Sequence, residues 1–209
     1  AVNYFIQNGT EGYYVYAQNS GAFPVELGKV YEVGGFKKYY RGLNEIVDVE
    51  YFKAIDEKIT YSVNALEGVA TNNLDAVAPF HCSFVSGKAV LVSADVATKA
   101  YNVIAMVGEY ETTFRVDPAN MTAEEFEAVN KKFAGAVVGG EFEFVGIMSA
   151  FGYGTPSPQI QIVKADDVKL AELSIKDLLE AAADAISIAT SVSFAKNEIV
   201  LPTAVEGFD

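Results

Sequence analysis

Cysteine and histidine occur once each, as the neighbours Cys82 and His81, and tryptophan is absent. One thiol rules out an intramolecular disulfide. With one imidazole beside it, a zinc site would have to be completed by carboxylates. A lone cysteine fits a reducing compartment or an intracellular assembly line. Cations are also scarce: 15 Lys and Arg face 28 Asp and Glu, a formal net charge of -13. That balance favours solubility and disfavours non-specific binding to nucleic acid or anionic membrane. No stretch approaches the ~20 apolar residues needed to cross a bilayer. Ala1-Val2-Asn3-Tyr4-Phe5 lacks the basic start and apolar run of a signal peptide, and Ala1 is what removal of either an initiator Met or a cleaved signal would leave. The expectation is a chain with no membrane partner and no direct nucleic-acid partner.

Catalytic signatures are missing too. The glycines at 34–35 and 139–140 lack the spacing of a dinucleotide loop, and no Gly-Lys-Ser/Thr occurs. There is no Gly-x-Ser-x-Gly turn and no twelve-residue calcium loop. On a strand His81 and Cys82 would point to opposite faces, so they cannot act on each other. A buried Cys82 beside a partly exposed His81 is expected. Asp56-Glu57 and Asp166-Asp167 read as solvated turns. No cofactor and no enzymatic activity are expected, although a carboxylate-only active site stays open as an alternative.

Apolar residues make up 51% of the chain, enough for an ordinary core. Tyr4-Phe5-Ile6 and Tyr13-Tyr14-Val15-Tyr16 flank Asn8-Gly9, a hairpin signal. Val30–Val33 reads as a short strand ended by Gly34-Gly35. Ile46–Phe52 alternates apolar and acidic residues, as a half-exposed strand does. Ile59–Val63, Phe80–Val85, Ala89–Ser93, Tyr101–Val107 and Tyr110–Val116 are further strand candidates, with turns at Gly87 and Gly108. The stretch 94–105 also fits a helix. Asp117-Pro118 stops a strand, and Thr122 with Glu125 forms a capping box for a helix carrying Phe126, Val129 and Phe133 up to Gly135. Glu141–Val145 and Gln159–Val163 read as strands. A second helix is expected after Ser174, with Ile175, Leu178, Leu179, Ala182, Ile186 and Ala189 as its stripe. Short strands are expected at 191–194 and 198–201.

No internal repeat is evident. The pattern predicts an α+β fold, mainly antiparallel β, with a sandwich or barrel-like body and two packed helices. The whole chain, 1–209, reads as one β-rich domain, with a subdomain boundary admissible near 117–121.

Two segments stand out as interface candidates. Phe36-Lys37-Lys38-Tyr39-Tyr40-Arg41 interleaves three aromatics with three cations in an otherwise acidic chain. A solvated edge strand is the plain alternative, but Tyr and Arg are favoured interface anchors. A basic patch on an acidic subunit suits packing against acids of another copy. Gly152–Pro158, with Tyr153, Pro156 and Pro158, reads as an exposed extended loop that is neither helix nor central strand.

The β-rich start from Tyr4 to Tyr16, the Gly-Tyr-Gly-Thr-Pro-Ser-Pro loop and the lack of chemistry resemble, in style, virion proteins of tailed phages. Those are capsid decoration (cement) proteins and tail-tube or head–tail connector subunits. The resemblance carries over no residue role. It implies a virion protein made in the host cytoplasm, with copies of itself and other virion proteins such as the major capsid protein as partners. The chain is short for a complete major capsid protein, which points to an accessory role. A binding module for a small ligand or glycan is the alternative of another class.

Overall fold

The computed structural model describes residues 3–17, 23, 25–26, 28–152 and 154–171. Tyr153, the helix expected after Ser174 and the two late strands lie outside the described residues.

The chain begins with a four-stranded sheet. Strand β1 (Asn3–Asn8) pairs antiparallel with β2 (Glu11–Tyr16) across a two-residue loop, Gly9-Thr10. Gly9, at φ 60°, takes the first loop position, so Asn8 ends the strand and the glycine makes the turn. Strand β3 (Tyr31–Tyr40) pairs antiparallel with β4 (Leu43–Ala54), and β4 runs parallel to β2. The strand order is β1-β2-β4-β3.

The glycine pair Gly34-Gly35 does not end a strand, contrary to the sequence reading. Strand β3 continues through it with a register shift between Gly34 and Phe36. A Cβ on Gly34 would lie 2.2 Å from the Tyr51 ring, and one on Gly35 would lie 2.8 Å from both Ile46 Cγ2 and the Val47 carbonyl oxygen. These glycines serve close packing rather than chain reversal. The expected strand at Ile59–Val63 is reduced to one isolated bridge, Gly9 to Tyr61.

After β5 (Asn64–Ala65) and a one-turn helix, α1 (Leu74–Val77), the chain builds a barrel. Its strands are β6 (Phe84–Ala94), β7 (Tyr101–Val107), β8 (Tyr110–Val116), β9 (Glu141–Phe151) and β10 (Ser157–Ile162). Neighbours around the ring are β6-β7-β8-β10-β9, and β9 pairs back onto β6 to close it. A short β11 (Val168–Leu170) adds to the outer side of β9. Helix α2 (Ala123–Ala134) connects β8 to β9. The body is therefore β-rich and barrel-like, as the pattern suggested. The antiparallel expectation holds in part, because β2–β4, β5–β6 and β8–β10 are parallel.

Helix α2 follows its sequence signals. Thr122 Oγ1 accepts the Glu125 N–H at 3.2 Å, and Val129 and Phe133 are buried. The Glu125 carboxylate accepts the Ala165 N–H at 2.7 Å, so the cap also fastens the helix to the chain after β10. Other expectations need correction. Gly87 sits inside β6 against the Phe144 ring, not in a turn. The stretch 94–105 joins the sheet from Tyr101 onward and is not a helix. The segment Asp117–Met121 links β8 to α2.

Pro158 lies inside β10, between β8 and β9, where the sequence reading placed only loop. It pairs with Ala150 of β9, while pairing to β8 starts at Ile160. The missing N–H therefore falls before the second ladder begins.

The barrel core is led by Phe114, Phe142 and Phe144, whose rings meet edge-on or tilted at centroid distances of 4.8 to 6.4 Å. The first sheet has its own small core of Val15, Ala17 and Val49 with Tyr4, Ile6, Phe23, Val33, Ile46 and Phe52. A third cluster, of Leu43, Cys82, Ala150, Phe5, Tyr14 and Leu74, joins sheet to barrel. Gly12 permits that junction, since a Cβ there would lie 2.1 Å from the Cys82 carbonyl oxygen. Phe114→Ala should lower stability by about 3–5 kcal/mol, read as a reduced denaturant midpoint with an unchanged slope.

Candidate protein-interaction surface

The aromatic–cation segment forms the outer half of β3 and the turn after it. Tyr40 and Leu43 face each other across Arg41-Gly42, and both loop residues have positive φ, 50° and 79°. That is the geometry of a primed hairpin turn, which follows the right-handed twist of the strands. Gly42 also lets the turn dock: a Cβ there would be 2.9 Å from Leu74 Cδ1 and 3.0 Å from Ala150 Cβ.

Alternation divides the segment between two faces. Phe36, Lys38 and Tyr40 share one face with their β4 partners Val47, Glu45 and Leu43. Lys37 and Tyr39 share the other with Ile46 and Asn44. Phe36 and Tyr39 are each 62% exposed and Tyr40 is 42% exposed. The cations rest on rings. Lys37 Nζ donates to Tyr13 Oη at 2.7 Å and sits 4.7 Å from that ring's centroid. Lys38 Nζ and Arg41 Cζ lie 4.8 and 4.9 Å from the Tyr40 centroid. Such contacts hold long side chains in place before any partner arrives.

Opposite Lys38, Glu45 is nearly buried. Burial holds its carboxyl above the ordinary value, and the charges of Lys38 and Arg41 pull it part of the way back. No sequence feature marked Glu45 as buried, because it alternates within an acidic, apparently exposed strand.

The second candidate lies beside the first. Ala150, which Gly42 abuts, precedes Phe151, the last residue of β9. Pro156 and Pro158 are partly exposed, and Phe151 is 66% exposed. The sequence reading missed Phe151, since the Glu141–Val145 alternation gave no sign that the strand ran on so far.

The residues considered for chemistry are placed against it. His81 and Cys82 lie in the turn before β6, not on a strand, and both are buried. The expectation of a partly exposed His81 is thus corrected. Burial pushes the Cys82 thiol up to about 12, so it stays protonated at neutral pH and is a poor nucleophile. Among the described residues neither ring nitrogen of His81 has a hydrogen-bond partner. Among the described residues no three His, Cys, Asp or Glu side chains converge to hold a metal. Two shallow hollows of about 200 and 120 Å³ lie beside Ala171, smaller than the usual ~300–1,000 Å³ ligand pocket. No helix among the described residues is long and apolar enough to cross a membrane.

No family model matches this chain, and no curated protein is significantly similar to it. Solved structures give distant likenesses. An OBody bound to hen egg-white lysozyme aligns at TM-score 0.37 and 12% identity, over 44% of this chain and 97% of that one. The S. pombe Stn1-ten1 complex aligns at 0.33 and 9%, over 48% of this chain and 66% of that one. A murine DNA binding protein bound with ds DNA aligns at 0.33 and 6%, over 80% and 82%. Likenesses this distant carry no functional argument. The connectivity stands independently of them: five strands closing in the order β6-β7-β8-β10-β9, with helix α2 between β8 and β9 in the chain, form an OB-type barrel.

Burial lowers the proton affinity of His81. The unfolded chain therefore takes up a proton near pH 6.5 before the folded chain does. Stability should fall as pH drops below about 6.5, by at most ~1.4 kcal/mol per pH unit for this one group. His81→Leu should flatten that fall between pH 7 and 5 in thermal melts. Glu45 and Asp167, both raised by burial, titrate with the opposite sign and are common to both proteins.

Proposed function

We propose that this chain is a structural, non-catalytic subunit that works by packing strand β3 and the adjoining Phe151 and Pro156 against other protein chains. Its proposed setting is a virus particle, as an accessory shell (decoration or cement) protein, with a tail-tube or connector subunit as the variant of the same idea. The observation that carries the reading is the exposure of Phe36, Tyr39 and Tyr40 on an edge strand whose cations are already seated on rings. Phe36 and Tyr40 on one face of the strand, with Tyr39 on the other, give exposed aromatic surface of the kind that marks protein–protein contact sites. Aromatic burial would supply the affinity, while the cations mainly steer approach and fix orientation.

A ligand-binding module is the second reading, and the barrel's connectivity is what favours it. In OB-type barrels the face of the second and third strands binds oligonucleotides or oligosaccharides. Here that face presents Asn102, Ile104, Met106, Glu111, Thr113 and Arg115. Arg115 is engaged by Asn102 at 3.1 Å and Asp117 at 3.4 Å. The face offers no aromatic for a base or sugar to stack on and no free cation for a phosphate.

Tyr39→Ala with Tyr40→Ala should weaken assembly roughly 30-fold, as loss of a ~2 kcal/mol anchor would. Lys37→Ala with Lys38→Ala should weaken it less than about fivefold. Light scattering of assembling particles reads both, and raised salt should slow assembly without dissolving finished particles. Wild-type assembly by both double variants would place the interface elsewhere. Saturable binding of a single-stranded oligonucleotide or a glycan at the β7–β8 face would favour the second reading.

A further inference from the structure

The first sheet repeats four-fifths of the barrel. Its order β1-β2-β4-β3, with an antiparallel, a parallel and an antiparallel pairing in turn, is the order and sense of β7-β8-β10-β9. The match extends to residues. Gly9 and Gly108 both open two-residue hairpin loops at φ 60°. Ile46, beside Val15 of β2, corresponds to Ile160, beside Phe114 of β8. Gly35 corresponds to Gly146. A Cβ on either would strike the isoleucine Cγ2, at 2.8 Å from Ile46 or 2.4 Å from Ile160, and the next carbonyl oxygen, at 2.8 Å from Val47 or from Gln161. Counted from those glycines, Tyr31–Tyr40 of β3 matches Phe142–Phe151 of β9.

The fifth strand is what differs. In the barrel, β6 runs antiparallel along β9 from Phe84 to Val90 and then along β7 from Val90 to Ala94. The corresponding strands of the first sheet, β3 and β1, are both edges. Residues of β1 and β3 make no main-chain hydrogen bond to any strand but β2 and β4 among the described residues, apart from the bridge just past β1 at Gly9. Lys37 stands where Met148 is buried in the closed barrel, and Tyr39 where Ala150 is buried at the junction with the first sheet. We propose that the edges of β3 and β1 form a slot for a β-strand donated by a different protein, running antiparallel to both and completing a second barrel. This inference rests on the reading that the chain packs against other proteins, and it names the element of the partner that does so.

The charges along β3 specify the donor. In the barrel, Lys88 of β6 lies opposite Glu143 of β9 and pairs with it at 3.8 Å. Glu32 is the counterpart of Glu143, so the donor should carry a cation there. Five residues away on the donor, opposite Lys37, it should carry an acid. Its alternate positions should be apolar, as Val85, Ala89 and Leu91 are in β6. A second copy pairing β3 against β3 does not meet these terms. A two-fold axis through Lys38 sets Lys38 opposite Lys38 and one through Tyr39 sets Lys37 opposite Arg41; one through Gly35 sets Lys38 opposite Glu32 but leaves Lys37 opposite Val33 with no acid, and all three leave β1 open. Lysines on an edge strand oppose self-pairing for this reason.

The test uses the full chain and a synthetic peptide copying residues 83–94 with Ser83→Glu, which places Glu opposite Lys37 and Lys opposite Glu32. Amide NMR should show saturable shifts and slowed exchange in Tyr31–Lys37 and Asn3–Gln7, with β7 and β8 unchanged. Exchanging the two peptide charges should weaken binding roughly tenfold, and Glu32→Lys should recover part of that loss. Absence of protection on β1 and β3 at millimolar peptide, or protection on β7–β8 instead, would overturn the slot. Protection of β1 and β3 by concentration alone, without peptide, would make the occupant a second copy and overturn the foreign donor. If the slot fails while Tyr39→Ala with Tyr40→Ala still weakens assembly, the packing reading survives without it.

Discussion

Closure of the barrel by β6 is the constraint on which the rest of the structure depends. Strand β6 pairs with both β7 and β9, so no barrel edge is left between them. That closure encloses Phe114, Phe142 and Phe144 and gives α2 a surface for Val129 and Phe133. It also fixes the turn at His81-Cys82 just before β6. The Cys82 N–H donates to the Met148 carbonyl at 2.8 Å, and the Phe84 N–H donates to Gln7 Oε1 at 2.8 Å. The first sheet is therefore mounted on the strand that closes the barrel.

Among the described residues the first sheet has the same connectivity without such a strand, and its surface chemistry follows from that. Its small core is built from aromatic and β-branched residues on one side of four strands. Among the described residues the two outer strands keep unpaired main-chain edges, and a run of exposed aromatics and cations, Phe36–Arg41, lies on one of them. Open edges of this kind invite pairing, and lysines limit which partner can accept the invitation. The packing surface and the free edge are thus two aspects of one feature.

Local signals carried much of the fold. The Thr122 cap, the Gly9 and Gly108 hairpins and the β7 and β8 alternation all depend on neighbours in sequence, and each is where its pattern predicts. Signals that depend on distant partners were misread. Gly34, Gly35 and Gly87 looked like turns because a glycine needed for close packing looks the same in sequence as one needed for a positive φ. Pro158 looked incompatible with an inner strand because the stagger of β10 against β8 and β9 is not written locally. The repeat of connectivity was invisible, since it is carried by strand order and two glycine pairs rather than by similar sequence. Of the candidate surface, Phe36–Arg41 was legible from composition, whereas Phe151, Gly42 and Glu45 emerge only when the hairpin docks on the barrel.

A cryo-EM map of the chain in its native assembly tests the central claim most directly. The account predicts that Phe36, Tyr39 and Tyr40 are covered by another protein chain. It also predicts an extended segment of that chain lying antiparallel along Tyr31–Lys37. A map in which this strand faces solvent, while another surface makes the contacts, would contradict it.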